Sequence, residues 1–138
     1  MSIATDGPEG LWAATVFYVN DRFALYFLSL SNTRHARNIE SNHRVAATIS
    51  DDAETWPEVG GIQLEGPIAR IDQSEERRRV LALFAKRYPF VDCLWWTDSP
   101  PDPSAERHIY RIEPTSVLFV DHAFRSARIA IAGTHLRQ

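Results

Sequence analysis

The sequence predicts a mainly β protein: a barrel of short strands carrying two or three short helices. Three observations predict it. Short runs rich in β-branched and aromatic residues recur along the chain, bounded by turn-forming residues. Only two segments carry a helical signature. These helices do not alternate with the strands, as a parallel βαβ sheet would require. The 138 residues suit one domain, 1–138, with one core. Hydrophobic residues at 44% and charged residues at 24% argue against disorder for the bulk of the chain.

Ser2 to Thr5 reads as a short strand, and Asp6-Gly7-Pro8-Glu9-Gly10 as a turn. Leu11 to Val19 reads as one strand. Asn20-Asp21-Arg22 then connects it to a second strand, Phe23 to Ser29, as a hairpin. Both alternate sets of this second strand are apolar, Phe23/Leu25/Phe27 and Ala24/Tyr26/Leu28, so it is expected to be covered on both faces. Ser31-Asn32-Thr33 offers N-caps for a short helix over Arg34 to Asn42, with Ala36 and Ile39 inward. Val45 to Ser50 is the next strand, and Asp51 to Glu58 is loop-like. Gly60 to Ile71 is a further strand, where Gly66-Pro67 predicts a bulge or bend. Ser74 to Tyr88 is the clearest helix. Ser74 is its expected cap, and acidic residues open it while basic residues close it. Val80, Leu81, Phe84 and Tyr88 share one face, and Pro89 stops it. Asp92 to Arg107 is irregular. His108 to Ile112, Ser116 to Val120 and Arg125 to Ala132 read as strands.

A net charge of −3 argues against nucleic acid as the main partner. Cys93 is the sole cysteine, which excludes an internal disulfide and fits a reducing compartment. No apolar run nears the roughly 18 residues that span a bilayer. The N-terminus shows no basic region followed by an apolar run, so no signal peptide is read there. No membrane partner and a cytoplasmic location are the expectation. Five scattered histidines without a His-x-x-x-His pair make a metal unexpected. Asp121-His122 reads as a surface turn and Cys93 as packing. Trp95 and Trp96 read as core filling, with a lid or dimer contact as the alternative. Ser29 and Ser31 lack a partnered His and acid at a recognisable spacing, which leaves a hydrolase little support.

The segment Ser29 to Ile39 carries the most chemistry. It sets Thr33, Arg34 and His35 at a junction of strand and helix N-terminus, where free N–H groups and the helix dipole favour anions. Thr33 and Arg34 can donate charge-assisted hydrogen bonds to a phosphate. In the competing account, Thr33 only caps the helix while Arg34 and Arg37 are merely solvated.

The run Thr33-Arg34-His35-Ala36-Arg37-Asn38-Ile39-Glu40-Ser41-Asn42-His43-Arg44-Val45 resembles the pyridoxamine 5′-phosphate oxidase-like FMN-binding family. That family has a Ser/Thr-Arg-Lys element, a short helix, and Asn-Pro-Arg-Val opening the next strand. Trp12 to Tyr18 with Leu25 to Ser29, Gln63 to Ala69, and Tyr110 to Pro114 are similar to it as well. The resemblance spans about residues 1–122 and is nearest to a small uncharacterised branch. It implies a Greek-key-like split β-barrel that binds FMN and works as a homodimer, with flavin at the subunit interface. The expected activity is an FMN-dependent oxidation or reduction of an unknown small molecule. The strand Ala13, Ala14, Thr15, Val16, Phe17 and Tyr18 would lie along the flavin ring, with Leu28 and Ser29 lining its ring and ribityl side. Thr33, Arg34 and His35 would hold the 5′-phosphate. Gln63 would approach the flavin from the neighbouring strand or across the dimer interface. No catalytic side chain is singled out, since a flavin supplies the redox chemistry itself.

The sequence also departs from the family. His35 replaces the usual Lys and His43 a common Pro. The leading helix is missing, and so is the Arg-Leu-Ala-Pro ending that serves substrate recognition in true pyridoxamine phosphate oxidases. Two alternatives stay open: a flavin carrier or electron-transfer protein without turnover, and the same barrel binding a deazaflavin coenzyme or haem.

Overall fold

The computed structural model describes residues 1–50, 52–90, 104–121 and 127–133. Among these described residues, nine strands form one curled antiparallel sheet, with two α-helices. The strands are β1 (Ser2–Thr5), β2 (Trp12–Thr15), β3 (Tyr18–Asp21), β4 (Ala24–Leu30), β5 (Arg44–Ser50), β6 (Gly60–Arg70), β7 (Arg107–Ile112), β8 (Ser116–Asp121) and β9 (Ala127–Gly133). The helices are α1 (Arg34–Ser41) and α2 (Ser74–Arg87). A single 3-10 turn, Trp56–Glu58, interrupts the predicted loop before β6.

The spatial order is β2-β1-β5-β6-β7-β4-β3, with β8 pairing β6 and β9 pairing β8. The two end strands of this order, β2 and β3, are consecutive in the chain and separated only by Val16 and Phe17. The sheet therefore curls until its ends meet, which is a barrel closed by a peptide link. Here the sequence expectation needs correction. Leu11 to Val19 is not one strand in a hairpin. Its first half pairs back onto β1 (Ala4↔Ala13), and only its second half forms the hairpin with β4 (Val19↔Tyr26).

β6 is the pivot. Gly60 to Glu65 pair with β8, and Ile68 to Arg70 pair with β7. The change of partner falls at Gly66-Pro67, so that pair marks a bend. The ladder to β5 runs one-to-one through it, without a bulge. A Cβ at Gly66 would run into the Glu113 carbonyl, where the β7–β8 connection crosses close by.

Two apolar clusters lie on opposite faces of the sheet. The barrel interior holds Ile3, Leu25, Phe27, Val45, Leu64, Ile68, Tyr110 and Ile112, closed by Ala36 and Ile39 of α1 as expected. Phe27 is fully buried and stacks on Tyr110 at 5.1 Å. Burial of such a side chain contributes roughly 1.5–3 kcal/mol. On the other face, α2 lays Val80 and Phe84 over Val19, Tyr26 and Ile109. β4 is thus covered on both sides, as its doubly apolar sequence predicts. Polar contacts fix the helix: Arg111 and the Tyr26 hydroxyl donate to Glu76 at 3.0 and 3.1 Å, and Tyr88 donates to the Tyr18 carbonyl at 3.1 Å.

The predicted N-cap of α2 was one residue late. Ser74 is the first helical residue, and Gln73 occupies the cap position without a side-chain hydrogen bond. Glu75 and Glu76 in the first turn supply the favourable charge there instead. Helix α1 ends at Ser41, with Asn42 as its C-cap, one residue earlier than predicted. Cys93, Trp95, Trp96 and His122 lie outside the described residues.

Candidate functional site

The start of α1 is built around Thr33. Its hydroxyl accepts from the Ala36 N–H at 3.3 Å, which makes it the N-cap, and donates to the Leu30 carbonyl at 2.9 Å. The remaining amides of the first turn have no carbonyl within the helix to meet and point outward, as helix geometry requires. Strand β4 runs into this turn. Ser29, at its end, lies 3.0 Å from the Thr33 hydroxyl and 2.7 Å from His35 Nε2. The sequence spacing did not reveal this Ser29–His35 contact. Among the described residues no carboxylate bonds the other ring nitrogen of His35, so the pair lacks the third member of a hydrolytic triad.

His35 and Arg34 leave the helix on different sides. The imidazole turns inward, edge-on to Phe27 at 6.2 Å, and burial holds it below its ordinary pKa of 6.5. The Arg34 guanidinium turns outward over the Trp12 ring, 4.5 Å from its centroid. It donates to the carbonyls of Glu9 and Leu11, the latter at 3.3 Å, while its Nε is buried without a partner. Arg37 holds Glu9 from the next turn at 2.6 Å and keeps that carboxyl below its usual pKa. The turn between β1 and β2 is therefore strapped to the first turn of α1. Buried Asn38 completes the strap by donating to Thr5 Oγ1 and the Gly10 carbonyl at 3.3 and 3.0 Å. Gly7 is required there, since a Cβ would lie 2.6 Å from the Asn38 backbone.

The other predicted site residues divide by face. Ala13 and Thr15 are exposed on β2, an edge strand with backbone groups free on one side; Ala14 and Val16 turn toward the barrel interior. Phe17 is 58% exposed and meets Tyr88 and Phe90 edge-on. Tyr18 lies partly buried, with Arg87 over its ring at 4.7 Å. Leu28 packs toward α2 while Ser29 faces the other way, so their side chains do not share a face. Gln63 is exposed on β6, in the cross-sheet row Thr15–Ser2–Thr48–Gln63. It is not on the strand next to β2: three strand spacings, roughly 14 Å, separate it from Thr15.

Sequence reasoning missed Trp12, whose ring sits under Arg34, and the carbonyls of Glu9 and Leu11. Their signal was weak, because 22 residues separate Trp12 from Arg34 and only the β1–β2 pairing brings them together.

These donors fit a phosphate. The helix start offers the Arg34 and His35 amides and a cation whose Nε has no partner, beside an exposed edge strand on which a flat ring can lie, while the one Thr33 hydroxyl proton is given to the Leu30 carbonyl.

A curled antiparallel sheet closed end to end, with one helix sealing the interior and one on its flank, defines the class of split β-barrels. The chain belongs to the pyridoxamine 5′-phosphate oxidase family, whose model matches residues 1–121. Among curated relatives, a UPF0306 protein of Enterobacter sp. strain 638 is 31% identical over 114 residues, covering 81% of this chain and 72% of the relative. The UPF0306 protein YhbP of Escherichia coli O157:H7 is 29% identical over 114 residues, with 81% and 69% covered. Alignments to some other UPF0306 proteins cover less than two thirds of those chains. Solved structures share the fold. HutZ, the haem-storage protein of Vibrio cholerae, matches at TM-score 0.68 with 20% identity over 82% of this chain and 79% of its own. A haem-binding protein of Mycobacterium smegmatis matches at 0.75 with 17% identity, over 96% of this chain and 52% of its own. A putative pyridoxamine 5′-phosphate oxidase of Listeria innocua matches at 0.63 with 15% identity, over 86% and 85%.

Proposed function

We propose that this protein is an FMN-binding flavoprotein that works as a homodimer and carries out an FMN-dependent oxidation or reduction of a small molecule. One observation carries the reading. In a chain of this family, the anion-suited turn Thr33-Arg34 adjoins the exposed edge strand β2, with the Arg34 guanidinium directly over Trp12. Arg34 and the first amides of α1 hold the 5′-phosphate, and Thr33 caps and fixes the turn that presents them. Ser29 and His35 stand behind them on the ribityl side. The backbone of Ala13 to Tyr18 meets the polar edge of the ring. A flavin bound there supplies the redox chemistry, while the chain binds and orients it. Within one subunit Gln63 is too far from β2 to take part, so its role falls to Gln63 of the partner subunit. The outer face of β2, β1, β5 and β6 suits that arrangement. It exposes Ala13, Ala4, Ala46, Thr48 and Gln63, small or uncharged side chains that let a second copy approach closely, beside one ion pair, Arg44–Glu65. An obligate interface of this kind buries on the order of 2,000 Å² or more. Among the described residues no helix is long and apolar enough to cross a membrane. We propose a cytoplasmic location on a separate ground: the sole cysteine, Cys93, suits a reducing compartment.

The haem-binding neighbours favour one alternative, the same barrel holding haem. Absorption spectroscopy of the purified full chain, with mass spectrometry of the ligand released on denaturation, decides between them. Flavin bands and the mass of FMN are expected; a Soret band with haem released would overturn the flavin reading. Bleaching of the flavin bands by a reduced nicotinamide would support turnover, and its failure with every donor tried would favour a carrier.

A further inference from the structure

A second site lies at the opposite end of α1. Among the described residues, a cavity of about 340 Å³ opens between the end of α1, the end of β6 and the start of β7. That volume is within the range of small-ligand pockets, roughly 300–1,000 Å³. The eight residues of α1 span about 12 Å, so the Ile39 and Glu40 wall of the cavity stands apart from the Thr33–Arg34 turn, while His108 pairs with Ser29 across the β4–β7 ladder and adjoins the inner side of that turn. Its apolar wall is Ile39, Ile68 and the Tyr110 ring.

Its polar wall is ordered. Arg70 pairs directly with Tyr110 across the β6–β7 ladder, and His108, two residues before Tyr110, projects from the same face of β7. His108 is only 7% exposed. Its Nδ1 lies 3.2 Å from the Tyr110 hydroxyl, and its Nε2 lies 3.0 Å from Glu106 Oε2 and 3.4 Å from Arg70 NH1. Burial, reinforced by Glu40, pushes the Tyr110 phenol up to about 12, so it remains a proton donor. A Tyr110 O–H donated to Nδ1 leaves the Nε2–H as the donor aimed at a carboxylate. Asp72 takes the Nε and NH2 edge of Arg70, at 2.9 and 3.4 Å, which leaves NH1 beside His108 Nε2. Two donors thus converge at the cavity wall. The carboxylate now on His108 belongs to Glu106, whose side chain is 78% exposed and readily replaced.

We propose that this cavity binds a small carboxylic acid with an apolar or aromatic body. Arg70 NH1 and His108 Nε2 hold its carboxylate in the place of Glu106, and Ile39, Ile68 and Tyr110 hold its body. Glu40 on the cavity wall disfavours ligands of higher negative charge.

Benzoate, with benzamide as its neutral isostere, tests this by titration calorimetry on the full chain. Benzoate should bind roughly 10- to 150-fold more tightly than benzamide, the usual weight of a hydrogen bond to a charged group. Arg70→Gln should lose a similar factor. Glu106→Gln should tighten benzoate severalfold by removing the internal competitor, a gain that a damaged fold does not produce. Equal affinity for benzoate and benzamide would overturn the proposal. So would benzoate binding unchanged in Arg70→Gln, or displacement of benzoate by inorganic phosphate.

Discussion

The two halves of the curled sheet treat their outer faces differently. Over β3, β4 and β7, α2 buries Val19, Tyr26 and Ile109 beneath Val80 and Phe84. Over β2, β1 and β5, no described helix covers the outer face, and its exposed residues are mostly small, Ala13, Ala4, Ala46 and Thr48, with Arg44 at one end paired to Glu65. The same backbone architecture thus serves two ends. A strand with large apolar residues on both faces needs its own helix. A strand that alternates a buried large residue with an exposed small one leaves a flat surface open to something from outside.

The comparison breaks first at Phe84. Truncation to Ala should cost the covered half about 3–5 kcal/mol of stability, as for other buried aromatics. Urea unfolding measures this, and a loss under about 1 kcal/mol would mean that α2 is not needed to cover that face. On the bare half, the border with β2 carries the next largest effect. Arg34→Ala should weaken FMN binding roughly 10- to 150-fold and riboflavin binding much less, from loss of a charge-assisted hydrogen bond. Flavin fluorescence titrations compare the two, and equal losses would remove Arg34 from the phosphate. For the proposed dimer, Ala46→Arg should change assembly more than stability. Its new side chain faces Glu65 across the β5–β6 ladder, so unfolding should shift by no more than about 0.5 kcal/mol, the usual range for a surface change. Light scattering should nonetheless find monomers, and an intact dimer would show that the bare face lies outside the interface.

The smallest effect is the pH response of His35. Its pKa is lowered in the folded chain by burial, so the unfolded chain binds more protons in the range between the two values. The stability tied to neutral His35 is complete above about 6.5, the unfolded value. It is lost as pH falls through the lower folded value. Glu9 and Glu106 also have lowered pKa values, but they act below the ordinary carboxylate value of 4.5, a separate window. His35→Gln should flatten the upper window of a stability–pH curve and leave the lower one. An unchanged upper window would mean that the Ser29–His35 contact does not matter to folding.

The covered half was legible in the sequence because its cause is local. Two interleaved apolar sets in Ala24 to Leu30 demand two covers, and the charged ends of Ser74 to Arg87 announce the helix that supplies one. The break between β2 and β3 was not legible. Val16 and Phe17 are good strand formers with no glycine or proline beside them, and only closure of the whole sheet turns the chain there. The candidate site divides in the same way. Thr33, Arg34 and His35 are neighbours in sequence, so their shared turn could be read. That Arg34 and His35 diverge depends on what each meets, Trp12 outside and Ser29 within. Arg70 and His108 are 38 residues apart, and only the register of β6 on β7 makes them a pair.

The link at Val16–Phe17 has a mechanical consequence. β2 bonds to β1 and β3 bonds to β4, so the two end strands are joined by the covalent link Val16–Phe17, with no ladder between them among the described residues. The circumference can therefore widen at this seam without breaking a row of backbone hydrogen bonds. Thr15 and Tyr18, on either side of it, belong to the stretch proposed to carry the flavin ring. A flavin bound as proposed would therefore rest across a break in the ladders, where chain connectivity alone joins the neighbouring strands.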